Sequence, residues 1–315
     1  MKREDLKNGV RIIGELVKKE ATRRNEGQAD ETLSLRLTVR TSEIEEHEVS
    51  FFAYKYTSRD EKGNRIKDNN KISKLFTGYE TVVNEYKCIA DEDGDGTGEL
   101  VDIKGSLSKN AYVDKAGQYR ESVRIKGTFC SRIKDQSKYT PCALWEAHMY
   151  LTSIKEDMSD KTGEFVLVKG LIVDYLEDEF EFRIYSEKVK TGFLKRFDEK
   201  DALRLEGRIV NRPDEAVSIE VEDDEDGWGE ETEVSISSNT VRRNYLEILT
   251  GDRKTMDTDD EDHPFNEDKI KEYRKNINNR KSDIIAKHEA KKKEENNQPR
   301  IDPNKGLEDL EDIPF

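Results

Sequence analysis

Cysteine is scarce in this chain. Its three residues, Cys88, Cys130 and Cys142, form an odd set without a CxxC pair, which argues against a disulfide framework and for reduced thiols in a cytosol. Histidine numbers only four, all scattered, and no nucleophile elbow, Walker loop or HExxH sequence is present. Catalysis therefore has no visible home, and the expectation is a non-enzymatic protein without a cofactor. Hydrophobic residues make up 33% of the chain, so its cores must be small and its solvated fraction large. No stretch approaches the ~20 apolar residues of a membrane-spanning helix. The start, MKREDLKNG, has no apolar signal-peptide core, so the expected location is the compartment of synthesis, the cytoplasm.

Charge is plentiful, at 40% of residues, and the formal net charge is -15. Such a balance fits nucleic acid poorly until it is divided along the chain. Residues 1–135 carry 26 Lys and Arg against 25 Asp and Glu, residues 136–265 carry 17 against 33, and residues 266–315 carry 12 against 12. The acid is concentrated in residues 136–265, and the first domain can still present a basic face. A length of 315 residues suits two domains plus a tail better than one small barrel.

From Gly9 to about Ile133, short alternations predict a half-solvated antiparallel sheet. Leu33, Leu35, Leu37 and Val39 share one face, with Arg36 and Arg40 on the other; Val49, Phe51 and Ala53 alternate with Phe52, Tyr54 and Tyr56. Val101, Ile103, Gly105 and Leu107 precede a turn at Asp114 to Gly117, after which Val123, Ile125, Gly127 and Phe129 alternate with Arg124, Lys126 and Thr128. One helix, near Lys71 to Tyr86, falls between the third and fourth strands, which is the element order of an OB-fold barrel. Gly-centred echoes follow. FVLVKGLIVDY (165–175) parallels VRIIGELV (10–17), ALRLEGRIVN (202–211) parallels LVDIKGSLS (100–108), and Lys190 to Phe197 suits a helix.

The expected fold class is mainly β, two OB-fold-like barrels in tandem with a disordered or partly helical C-terminal tail. The expected divisions are a first barrel at 1–135, a second, acidic barrel at 143–255 with Glu222 to Glu233 as an inserted loop, a flexible linker at 256–305 and an acidic tip at 306–315. An unrelated β-rich second domain is the alternative. In the linker, Ile270, Tyr273 and Ile277 have helical spacing, but the stripe is too thin for a third domain.

Period-2 parity places Arg36, Arg40, Phe52, Tyr54, Tyr112, Arg124 and Lys126 opposite the aliphatic core set. Rings on such a face stack on any base at about 1–3 kcal/mol each, while Arg and Lys follow the phosphates. Ordinary cross-strand pairing is the competing explanation, and for Tyr56 the better one. DEDGDGTGELVD (91–102) has the acid spacing of a calcium loop, which makes Asp91, Asp93 and Asp95 metal candidates. Position 12 is Asp102 in place of Glu and a strand follows, so a solvated turn explains the run better. Cys130, Cys142 and His148 lack zinc-finger spacing.

The final residues read GLEDLEDIPF. Pro314 disfavours helix at Ile313, so Leu310, Ile313 and Phe315 are offered from an extended segment amid Asp309, Glu311 and Asp312, a form suited to capture by a basic pocket of another protein. A frayed end is the alternative. This ending, together with VDIKGSLSKNAYVDKAGQYR (101–120) and HEVSFFAYK (47–55), resembles bacterial and phage single-stranded DNA-binding proteins. The resemblance implies stacking roles for Phe52 and Tyr112, a basic stretch at Lys109, and recruitment of replication, recombination or repair proteins by the tip. It departs from the family pattern at Glu46, where many members have Trp, and leaves residues 143–255 without a counterpart. Oligomeric state stays open, including a homo-oligomer, and length plus the acidic insert hint at phage origin. A replisome adaptor without DNA affinity and a nuclease using the Asp91 cluster are the rival readings.

Overall fold

A computed structural model describes residues 1–91, 96–135, 137, 139–159, 163–213 and 242–297. The chain begins with β1 (Asn8–Arg24), β2 (Thr32–Arg40) and β3 (Glu46–Tyr54). Helix α1 (Lys74–Glu85) leads to β4 (Leu100–Val113) and β5 (Tyr119–Arg132). β1 is long enough to pair twice, with β4 through Val10 to Glu15 and with β2 through Glu15 to Arg24. A bulge between Leu16 and Lys18 provides the bend between the two halves. Gly14 is required there, because any side chain would run into the backbone carbonyl of Arg40. β3 and β5 then close the ring in parallel at Val49↔Ile125 and Ser50↔Lys126.

Helix α1 plugs this first barrel. Ser73 caps it by accepting from the Phe76 amide, and Phe76, Tyr79 and Val82 are buried on its inner face. Tyr79 meets Phe51 edge-on at 5.2 Å and satisfies its hydroxyl on the Thr128 carbonyl.

A second ring repeats the order. It consists of β6 (Cys142–Ser159), β7 (Gly163–Val173), β8 (Glu177–Ile184), α2 (Glu187–Leu194), β9 (Ala202–Pro213) and β10 (Arg242–Gly251). β6 pairs with β7 and β9, and β8 closes in parallel on β10 at Phe182↔Leu246 and Arg183↔Glu247. Both rings therefore have OB-fold topology. The echo between 165–175 and 10–17 is offset by one strand: β6 fills the place of β1, and β7 that of β2. A glycine marks any strand pressed against a neighbour, here Gly170 against Met149, so it does not identify which strand it is in. The acidic run at 222–233 lies outside the described residues.

The barrels share one sheet. Asn8 to Ile13 of β1 pair antiparallel with Ala147 to Cys142 of β6, with Val10 opposite Trp145 and both buried. Trp145 stacks on Phe182 at 4.6 Å and donates to the Arg208 carbonyl, so the core runs through the junction unbroken.

The segment after Met256, predicted to be a linker, contains α3 (Glu267–Asn297). Phe265, Ile270 and Tyr273 are buried against Tyr150, Leu171, Val173 and Ala202 on the outside of the second barrel. Burying Phe265 and Ile270 contributes roughly 1.5–3 kcal/mol each, enough to hold a helix whose own stripe is thin. Further along, Arg280 pairs with Asp178 at 3.0 Å and Lys281 lies over the Tyr119 ring, which fastens the β4–β5 hairpin to the second barrel. Among the described residues, no helix is long and apolar enough to cross a membrane.

Candidate nucleic-acid interface

Register turns the outer face of the first barrel into a grid. Across β2, β3, β5 and β4, one row holds Arg36, Ser50, Lys126 and Ser106; the row to one side starts with Ser34 and Phe52, and the row to the other brings Glu48 beside Arg124 and Ser108. Phe52 is 48% exposed and Tyr54 37% exposed, and their rings meet edge to face at 5.1 Å. The structure thus puts Arg36, Phe52, Tyr54, Arg124 and Lys126 on one face, with Phe52 and Arg124 on opposite sides of the Arg36–Lys126 row.

Their charges are not equivalent. Arg36 lies between Glu20 at 3.6 Å and Glu48 at 3.4 Å, so part of its field is already spent. Lys126 stands 6.0 Å over the ring of Tyr175, which projects from the β7–β8 turn of the second barrel. No carboxylate pairs with Arg124 or Lys126 among the described residues.

The remaining predicted residues are elsewhere. Tyr112 is 45% exposed on the β4–β5 hairpin opposite Arg120, several residues beyond the barrel wall. Lys109 has the parity of Leu107, not of Tyr112; it pairs with Glu121 and lies 5.9 Å over Phe180, in the contact between barrels. Arg40 bonds Glu15 at 2.7 Å, and that carboxyl also accepts from the Gly98 amide. Burial alone would raise the Glu15 pKa, but these bonds outweigh it and hold it below the usual range. Arg40 therefore secures the β1 bend. Tyr56, read as an outward ring, is buried, with its hydroxyl on Asn69.

Asp91 accepts from the Cys88 amide at 2.8 Å and pairs with Lys19, which occupies it structurally. Asp93, Asp95 and Asp309 to Phe315 lie outside the described residues. Among the described residues, no three metal-ligating side chains gather. Burial pushes the Cys130 thiol up to about 12, so it is an inert packing group.

Two features of this face are not visible in the alternation. Between Lys104 and Gly105 the β4–β5 register shifts, which turns Phe129 outward at 57% exposed. The segment between β3 and α1 folds back in a small hairpin whose Arg59 and Arg65 pair, and Arg65 lays its guanidinium 3.6 Å from the Tyr54 ring centroid. Asp60 makes the turn, accepting from the Lys62 and Asn64 amides, and Gly63 takes φ +82°. The Asp60 to Gly63 spacing is the signal that could have located this hairpin.

A fully buried carboxylate anchors it. Glu31 accepts from Lys55 at 3.0 and 3.1 Å and from the Gly27 amide at 2.9 Å, and Arg23 approaches to 3.8 Å. Burial alone would raise its pKa; the amide and the two cations outweigh that and hold it below the usual carboxylate range. Lys67 ties the same segment to the β1–β2 turn through the Gly27 carbonyl.

Two closed five-stranded rings, with an exposed aromatic and basic patch on the β2–β3 wall of the first, define a tandem OB-fold protein. The chain belongs to the YorF family, whose profile matches residues 7–297. No curated protein matches it. Among solved structures it is similar to a deletion mutant of the single-stranded DNA binding protein from Thermus aquaticus, with 15% identity and a TM-score of 0.46 over 80% of this chain and 96% of that one. The mitochondrial single-stranded DNA binding protein Rim1 of S. cerevisiae matches at 10% identity and a TM-score of 0.25, over 42% of this chain and 98% of its own. A replication protein A heterotrimer bound to single-stranded DNA matches at 12% and 0.21, over 64% and 45%.

Proposed function

We propose that the protein binds single-stranded DNA without sequence readout, coating exposed strands in replication, recombination or repair, and that it is not an enzyme. The observation that carries this reading is the exposed Phe52–Tyr54 pair, backed by Arg65, with Lys126 one row from Phe52 and Arg124 two rows from it, on the wall of an OB barrel that offers rings to bases and cations to phosphates. Titration with labelled oligo(dT), against duplex DNA of equal length, tests it: tight, salt-sensitive binding to the single strand alone is expected. An adaptor would bind neither.

Arg124→Ala is expected to lower the slope of log affinity against log salt by about 0.7, the release expected for one phosphate contact on a single strand. Arg36→Ala should change the slope less, because Glu20 and Glu48 already balance that charge. Equal slopes for the parent and Arg124→Ala would remove Arg124 from the interface.

The segment 306–315 would recruit processing proteins through Leu310, Ile313 and Phe315 among its acids. Phe315→Ala keeps every charge, so it should erase capture of those proteins in a pull-down and leave oligo(dT) affinity at the parent value. Undiminished capture would return the segment to a plain chain end.

A further inference from the structure

Where the barrels face each other beyond the shared sheet, they enclose a polar groove of about 360 Å³. Arg36, Asn110, Arg124 and Glu48, the last paired with Arg36 at 3.4 Å, line it from the first barrel, and Asn211 and Asn244 from the second. Asn211 and Asn244 stand directly opposite each other on β9 and β10. They have the inward parity of the buried Ile209 and Leu246, yet lie past the core, where the strands outrun the barrel. Asn244 is exposed.

This groove is not what holds the barrels together. That task falls to the apolar junction of Val10 with Trp145 and to α3. A surface that merely joined two domains would gain little by gathering amides and guanidiniums. The groove is also continuous with the stacking patch: Arg36 and Ser50 are a cross-strand pair on its wall, and Ser34 and Phe52 are the next outward pair along the same strands.

Resting on the proposed function, we infer that a strand bound at Phe52 runs on into this groove, with a phosphate at Arg124 and base edges among Asn110, Asn211 and Asn244. One strand then touches both barrels. Amides both donate and accept, so they serve any base edge, in keeping with binding that does not read sequence.

Affinity measured with oligo(dT) of two lengths tests this, about 8 and about 30 nucleotides, chosen because one OB fold occupies roughly 4–16. Asn244→Asp places one negative charge on the path and should weaken the longer strand about tenfold. The short strand, which fits on the Phe52 patch alone, should bind as to the parent. Asn110→Asp, from the opposite wall, should do the same, and Asn244→Ser, which shortens the polar contact without adding charge, should weaken the longer strand less than Asn244→Asp does. If the aspartate variants match the parent on both lengths, or weaken both equally, the strand does not cross the groove. If the parent binds neither length, the proposed function fails and this inference with it.

Discussion

Phe52→Ala is expected to weaken oligo(dT) binding by about 1–3 kcal/mol, roughly fivefold to more than a hundredfold, with no change in the unfolding midpoint. The ring projects from β3 on the face opposite Phe51, so its loss opens no cavity in the core. Tyr54→Ala should cost less, since Arg65 already covers one face of that ring. Fluorescence titration at two salt concentrations separates the stacking loss, which salt hardly moves, from a loss of charge. Unchanged affinity in the Phe52 variant would displace the binding face from this wall.

Glu31→Ala should destabilise the fold by about 1–3 kcal/mol, because it leaves the partly exposed Lys55 and Arg23 and the Gly27 amide without their shared carboxylate. Glu31→Gln keeps the shape and should cost less. The carboxyl titrates lower in the folded protein than in the unfolded chain, so its stabilisation is complete above the unfolded value of about 4.3 and disappears as pH falls through the folded one. Urea midpoints measured from pH 7 down to pH 3 should therefore fall faster for the parent than for Glu31→Gln in that acidic window. Parallel pH profiles would mean that the carboxyl gains nothing from its partners. Because Glu31 anchors Lys55, from which the Arg65 hairpin starts, the alanine variant should also loosen Arg65 from Tyr54.

Alternation alone made much of the first barrel legible. Leu33, Leu35, Leu37 and Val39 are buried, and Phe52 and Tyr54 project, because regular strands expose every second residue. The same rule fails at a register shift. A one-residue bulge reversed the expectation for Phe129, and nothing in KGSLS or RIKGTF announces which glycine will host it. Lys109 was misplaced for a simpler reason: family resemblance put it in a basic stretch, whereas its parity points to the other side. Arg40 has the predicted parity, but its partner Glu15 is on another strand, and pairings between distant segments leave no local mark. The Glu31 anchor and the docking of Phe265 and Tyr273 were hidden likewise, since a lone buried acid or a sparse stripe acquires meaning only from what packs over it.

The antiparallel pairing of Asn8 to Ile13 with Ala147 to Cys142 relates the two barrels much as a two-fold axis relates subunits of a symmetric dimer. Here both halves belong to one polypeptide. A dimer held by such a seam comes apart on dilution, and its apparent affinity for a ligand then carries the cost of reassembly. This chain carries no such term: at nanomolar protein, its two barrels are as firmly associated as at millimolar.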